Sequence, residues 1–173
     1  IENAKTHKYK TSEFRFLGCG EPTLEWDLIV LATNYIRFQA DEAGVNHWIR
    51  LITNGVLIND EKACWIAKHI HYVTLSFDIL PDLQVNRSFP NGKNSHKAVM
   101  RAAQLLCKHG VPCHFRTTIS FAASDRLQEM VEFTHRYTAV KTIRCEQMAE
   151  IGRASDTERT KPAHQAFVNA SIA

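Results

Sequence analysis

Nowhere in the 173 residues does an apolar run approach the ~20 residues needed to span a bilayer, and no apolar segment follows a basic start as a secretory signal does. A soluble, cytoplasmic protein without membrane contacts is therefore expected. Blocks of like charge are also missing. The 21 basic and 18 acidic residues are spread along the chain and leave a net charge of +3, which gives no electrostatic case for nucleic acid. Cysteine is too sparse and too scattered for a secreted disulfide framework: Cys19, Cys64, Cys107, Cys113 and Cys145 are odd in number, so free thiols are expected. No spacing among them resembles a zinc knuckle or a redox pair, and Cys107 and Cys113 fall on different predicted elements. His69 and His71 fall on opposite sides of a helix end with no carboxylate partner in the sequence, so no metal site is expected within the chain. An initiator methionine is absent too. The chain opens on Ile1, as an excised segment of a longer polypeptide would.

What is present suffices for one domain, since 45% of the residues are hydrophobic and can build a core. Glu13 to Leu17 alternates and stops at glycine, which predicts a short strand. From Leu24 to about Gln39 the residues Trp26, Ile29, Val30, Thr33, Ile36 and Phe38 recur at roughly helical spacing. A strand is predicted over Trp48 to Thr53, closed by Asn54-Gly55. Asn59 or Asp60 can cap a helix running through Ala63, Ile66, Ala67 and Ile70. Tyr72 to Phe77 is a further strand, followed by a loop of about 17 residues rich in Pro, Asn and Gly, a length that in compact domains usually serves a function. A helix over Ser95 to His109 ends at Gly110, and the strand Pro112 to Ile119 follows. Asp125 and Gln128 have capping-box spacing at the head of a helix reaching about Tyr137. The strand Val140 to Glu146, a loop at Gly152 to Ala154 and a short helix opened by Pro162 complete the reading. Trp26, Trp48 and Trp65 are assigned to the core or to helix–sheet contacts.

Strand and helix thus alternate five times, which predicts an α/β fold with a parallel sheet and right-handed crossovers. Five units are too few for a closed eight-unit barrel of ~250 residues, so the sheet is open or the barrel partial. Ligands of such sheets gather at the C-terminal strand ends. After the first strand stands Gly18-Cys19-Gly20-Glu21-Pro22-Thr23. There the glycines permit close approach of the backbone, Pro22 fixes chain direction and Glu21 can accept from an ammonium group. The second strand ends in Thr53-Asn54-Gly55. The third ends in Ser76-Phe77-Asp78, with Ser76 and Asp78 on one face, and Arg87 follows in the long loop. Taken singly, these are a tight turn, a common turn, a polar strand end and a surface arginine.

In this order, over about Phe14 to Ala154, they resemble the radical S-adenosylmethionine (SAM) superfamily, in particular its branch of sulfatase-maturating enzymes and peptide maturases. Phe14 to Leu24 looks like the family's GGEP segment, with Cys19 where the family more often has glycine. Leu51 to Gly55 is similar to its TNG strand end, and Val73 to Asp78 to its SxD strand. Arg116 to Ile119 resembles the strand beside adenine. Glu146 to Met148 and the exit loop Gly152 to Ala154 resemble the sixth strand.

The resemblance implies a partial (β/α) barrel in which residues 1–173 are one unit, strands 2 to 6 of the family fold. It implies that Glu21 and the carbonyls of Gly18, Cys19 and Gly20 hold the SAM amino group, followed by Pro22, Thr53 and Asn54. Ser76 and Arg87 would fix the carboxylate, while Asp78 reaches the ribose or orients Arg87. Thr118 and Met148 would lie beside adenine. In the family a 4Fe-4S cluster held by a CxxxCxxC loop splits SAM to a 5′-deoxyadenosyl radical. That loop normally lies upstream of the GGEP segment and is not in this sequence, so the cluster is expected only in a parent chain and the isolated chain is expected to be inactive. A peptide or protein substrate and an electron donor are the implied partners. The sheet edge left by a missing first strand is expected to associate. Two other readings compete. One is a non-catalytic α/β module that uses the same strand ends for a nucleotide or peptide. The other is a phosphate binder at the Gly18 to Thr23 turn, against which the charge of Glu21 argues.

Overall fold

The computed structural model describes residues 10–18 and 20–147, together with Ile1 and Thr6. Five parallel strands run through them: β1 (Thr11–Phe16), β2 (Asn46–Thr53), β3 (Tyr72–Ser76), β4 (Cys113–Ile119) and β5 (Ile143–Gln147). Between them lie α1 (Trp26–Ala43), α2 (Asp60–His69), α3 (His96–Lys108), the short α4 (Phe121–Ser124) and α5 (Leu127–Tyr137). The strands form one sheet in the order β1-β2-β3-β4-β5, every neighbouring pair parallel. Each crossover advances one place in the same direction, so right-handed connections put the helices on one face. This is the wall of a singly wound barrel: of the open sheet and the partial barrel that the alternation allows, it is the α/β partial barrel that the resemblance implies.

Strand parity decides which residues meet the helices. Ile49, Leu51, Val73, Leu75, Phe77, Phe115 and Ile119 point to the helix side and pack with Ile66, Val99, Leu106 and Met130 in one core. Each such side chain contributes about 1.5–3 kcal/mol on burial. The opposite face carries Glu13, Arg15, Trp48, Arg50, Tyr72, Thr74, Ser76, His114, Arg116, Thr118, Arg144 and Glu146, as the cross-strand register requires.

The local signals act largely as read. The Asn59 side chain accepts from the Lys62 amide at 2.8 Å and caps α2. Gly110 takes φ +71° just beyond α3. Gly55 has φ +75°, and a Cβ there would stand 2.8 Å from the Leu75 side chain.

Several expectations are corrected. The helix after β1 starts as a 3-10 turn over Pro22–Glu25 and then runs to Ala43. Its buried positions are Ile29, Thr33 and Ala40, whereas Phe38, read as part of the inner stripe, is 60% exposed. With Leu24, Leu28, Leu31 and Tyr35 it forms a second, outward apolar stripe at spacings of three and four. The Asp125–Gln128 capping box is not used. The segment breaks into α4 and α5, and Arg126 at the head of α5 pairs instead with Glu129 and Asp82. A guanidinium fork satisfied by two carboxylates outcompetes one short cap.

Trp26 and Trp65 meet edge to face at 5.2 Å against the core, but Trp48 is 42% exposed on the helix-free face, stacked on His71. Cys107 and Cys113, on different elements as expected, are brought into contact by the turn between α3 and β4. Burial and the Cys107 neighbour push the Cys113 thiol up to about 12, so it stays protonated. The loop Gly152 to Ala154 and the helix opened by Pro162 lie outside the described residues, as do Cys19 and Met148. Among the described residues no helix is long and apolar enough to cross a membrane, and no group of three metal-ligating side chains occurs.

Candidate functional site

The C-terminal ends of β1 to β4 border one cavity of about 880 Å³, the size of pockets that enclose a nucleoside-sized ligand. Gly18, Gly20, Glu21, Thr53, Asn54, Ser76, Asp78, Arg87 and Thr118 all line it. Nine of the twelve predicted residues therefore converge on one place. Pro22 stands beside it as the first residue of the 3-10 turn. Cys19 and Met148 are outside the described residues.

At the β1–β2 corner the Glu21 carboxylate is a clamp. Its Oε1 accepts from the Thr23 amide at 3.0 Å, the Thr23 hydroxyl at 2.5 Å and the Thr53 hydroxyl at 2.5 Å, while Oε2 accepts from the Asn54 amide at 2.7 Å. Four donors from two loops therefore meet on one side chain, which locks the turn after β1 onto the end of β2. Thr53 Oγ1 accepts in turn from the Gly55 amide at 2.9 Å, and Asn54 Oδ1 from the Val56 amide at 2.9 Å. A carboxylate has about four lone-pair sites, so Glu21 retains little capacity for a further donor.

At the β3–β4 corner the carboxylate partner is a cation. Asp78, 4% exposed, accepts from Arg87 Nε at 2.9 Å and from the Thr118 amide at 3.1 Å. Arg87 also donates through Nη2 to the Thr118 hydroxyl at 2.9 Å. Of the two roles expected for Asp78, orienting Arg87 is the one the hydrogen bonds display. Among the described residues Nη1 of Arg87 makes no hydrogen bond, so a donor remains at the cavity wall.

The backbone beneath this pair is strained. Ile79, fully buried, has φ +65°, and the Leu80 amide bonds back to the Asp78 carbonyl at 2.7 Å. This is a γ-turn with a β-branched residue at positive φ, a rare and costly combination. Neighbours hold it in place. Gln84 Oε1 accepts from the Asp78 amide at 2.8 Å and Gln84 Nε2 donates to the Ser95 hydroxyl at 2.8 Å. Ser95 Oγ donates to the Arg87 carbonyl at 2.7 Å, and His96 Nε2 lies 2.8 Å from the Ile79 carbonyl. Sequence reasoning missed this brace. Gln84, in a 3-10 turn over Leu83–Arg87 within the long loop, has no pattern that marks it, and Ser95 and His96 read only as the head of a helix.

Arg116 completes the cavity wall and is bonded to Glu146 by Nε at 2.7 Å. Arg116 and Arg144 hold the Glu146 carboxyl below the usual carboxylate range. The His114 imidazole is pushed down by burial and by the surrounding arginines.

A profile described as the Radical SAM superfamily matches residues 1–134. The chain belongs to the Radical SAM superfamily. Among its relatives is the uncharacterized protein MJ0907 of Methanocaldococcus jannaschii, 26% identical over 121 residues that make up 70% of this chain and 41% of that protein. Solved structures of similar fold include native anSMEcpe with bound AdoMet (TM-score 0.75, 19% identity, 87% of this chain and 42% of that one). Another is Streptococcus suis SuiB bound to S-adenosylmethionine (TM-score 0.58, 18% identity, 93% of this chain and 34% of that one). At such identities these structures establish the fold alone. The chain spans less than half the length of each of these relatives.

The superfamily uses SAM and a 4Fe-4S cluster, and the two fare differently here. The cavity, the arginine donor and the glycine turn suit a nucleoside carrying an amino acid. Among the described residues none fits the cluster: CxxxCxxC does not occur in the sequence, and the described cysteines Cys64, Cys107, Cys113 and Cys145 are free and line no part of the cavity.

Proposed function

We propose that residues 1–173 are the SAM-holding portion, strands 2 to 6, of a radical SAM enzyme that modifies a peptide or protein. The observation that carries this reading is the fixed arginine: Arg87, held by Asp78 and Thr118 at the rim of a nucleoside-sized cavity, presents its remaining donors where four strand ends meet. In this reading Arg87 and Ser76 take the SAM carboxylate. Asp78 aims Arg87. The Gly18 to Gly20 turn, with Glu21 as its clamp, presents carbonyls to the amino group, and Thr118 lies beside adenine. SAM supplies radical chemistry when bound, and this chain contributes binding, orientation and shielding. Support for a peptide substrate comes from anSMEcpe, whose structures include complexes with Kp18Cys and Cp18Cys peptides. An electron donor belongs to the same proposal for the parent protein. So does a cytoplasmic setting, which keeps thiols reduced.

The direct test is calorimetric titration of the chain with S-adenosylhomocysteine, which shares the amino-acid and nucleoside parts of SAM. Binding that falls at least about tenfold in Arg87→Ala is expected, because a sheltered charge-assisted bond contributes ~1.5–3 kcal/mol. Undetectable binding by the wild-type chain would remove the reading. After anaerobic reconstitution the chain should hold no stoichiometric iron and sulfide. The second reading, a non-catalytic nucleotide or peptide binder, would be selected by a parent reading frame without a CxxxCxxC motif, whereas that motif upstream of Gly18 would select the enzyme. The edge of β1, which pairs with β2 alone among the described residues, and the outward stripe of α1 favour association. Sedimentation of a monomer at high concentration would count against that.

A further inference from the structure

The helix-free face of the sheet carries two clusters of the same composition. On β1 and β2, Glu13 is bonded by Arg15 through Nε at 2.9 Å and Nη2 at 2.8 Å, and Arg50 Nε lies 3.5 Å from the same carboxylate. On β4 and β5, Glu146 is gripped by Arg116 at 2.5 Å, with Arg144 Nε at 3.3 Å. In each cluster the two arginines stand directly opposite in the register, Arg15 with Arg50 and Arg116 with Arg144. Like charges directly opposite on a sheet are unfavourable, and a single carboxylate between them leaves one positive charge over.

Among the described residues the face therefore carries a surplus of two positive charges, flanking Tyr72, Thr74 and His114 on the central strands. Arg50 is held loosely: its Nε makes no hydrogen bond, lying 3.5 Å from Glu13, and its guanidinium stands 5.4 Å from the centre of the Tyr72 ring. The His114 ring is pushed toward its neutral form by burial and then by Arg50, Arg144 and Arg116. A solvated face kept for stability would gain little from exposed ion pairs and would accept lysine. Here every cation is arginine, whose fork matches a carboxylate, while lysines such as Lys62, Lys93 and Lys97 stand on helices and loops.

We propose that this face binds the acidic side chains of the substrate peptide, with Arg116 and Arg144 as the carboxylate anchor nearest the reacting position. Arg116 lines the candidate SAM cavity, so a carboxylate held there sets the neighbouring residue of the peptide at the cavity mouth. The inference rests on the peptide-modifying reading above and adds the chemistry of the peptide to it.

The test uses the full 173-residue chain and two labelled synthetic peptides, Gly-Asp-Gly-Asp-Gly and its asparagine isostere, read by fluorescence anisotropy. The aspartate peptide should bind at least about tenfold tighter than the isostere, and Arg116→Gln and Arg144→Gln should each remove most of that difference. Glu146→Gln should strengthen aspartate-peptide binding, because it frees the two guanidinium groups, whereas a merely structural Glu146 would weaken it. Equal binding of the two peptides, or binding of neither, overturns the proposal. S-adenosylhomocysteine titration of Arg144→Gln, which lies in the same cluster but does not line the cavity, separates the two readings. Unchanged nucleoside binding with lost aspartate preference supports the peptide anchor. A loss matching that of Arg87→Ala would make Arg144 part of the SAM site and overturn it. If the wild-type chain ignores S-adenosylhomocysteine yet still discriminates the peptides, the SAM assignment fails and the acidic-peptide face stands.

Discussion

Two buried or half-buried carboxylates stand at the mouth of the same cavity, and their partners make them different devices. Glu21 collects two amides and two hydroxyls from the β1 and β2 loops, all neutral donors, and joins two pieces of chain. Asp78 takes one amide and one guanidinium, and through Arg87 it keeps a positive charge pointed at the cavity. One corner is a fastening and the other is a mounting for a charge. The lesson is that a conspicuous acid in a strand-end motif is not by itself a ligand contact, because its hydrogen-bond capacity can be consumed by the fold.

The largest effect should come from breaking the charged corner. Asp78→Ala leaves Arg87 without its counter-charge in a sheltered place and is expected to cost about 3 kcal/mol in urea unfolding, in line with loss of one partner from a buried pair. It should abolish S-adenosylhomocysteine binding as well. Glu21→Gln should cost less, about 1–2 kcal/mol, because an amide nitrogen placed against donors forfeits at least one bond and leaves an amide facing an amide. If the two variants cost the same, the distinction between fastening and mounting collapses.

A smaller effect sharpens the account of the β3–β4 corner. At Ile79 the φ of +65° means that glycine is favoured over alanine, so Ile79→Gly should be more stable than Ile79→Ala by about 1 kcal/mol, the reverse of their order inside a strand or helix. The usual order would show that the γ-turn is not strained.

The smallest effect lies far from both corners, at the opposite end of the strands. His71 Nδ1 accepts from the Ile49 amide at 3.0 Å, and burial together with His47 and Arg37 holds its imidazole below the ordinary value. The unfolded chain then takes up this proton first. Stability should be flat above the ordinary histidine pKa of about 6.5 and should fall as pH drops from there through the lowered folded value. Urea midpoints measured between pH 8 and 5 should show that slope reduced in His71→Gln, whereas an unchanged slope would assign it to His69 or His114.

The barrel wall was legible because alternation and helical spacing are local properties: Tyr72 to Phe77 and Ser95 to Gly110 needed no tertiary knowledge. The strand-end motifs were legible as an ordered set, since glycine turns and polar residues just after β-rich runs have few other uses in a parallel sheet. Phe38 reads with Ile29, Thr33 and Ile36 because it recurs near helical spacing with them, but only packing decides which side of α1 meets the sheet, and Phe38 faces outward. The unused box at Asp125 and Gln128 failed for a similar reason, since Arg126 found Asp82, a residue 44 positions away. The γ-turn at Ile79 contradicts the residue's own preference and leaves no trace in the sequence.

By itself, then, the sequence determined the succession of strands and helices and the set of residues at the strand ends, because both follow from backbone periodicity and turn chemistry within a few neighbours. Only the tertiary structure decided which acid clamps and which carries an arginine, and which face of the sheet accumulates positive charge. Those outcomes depend on donors and charges contributed by distant segments, and no local pattern records who will arrive.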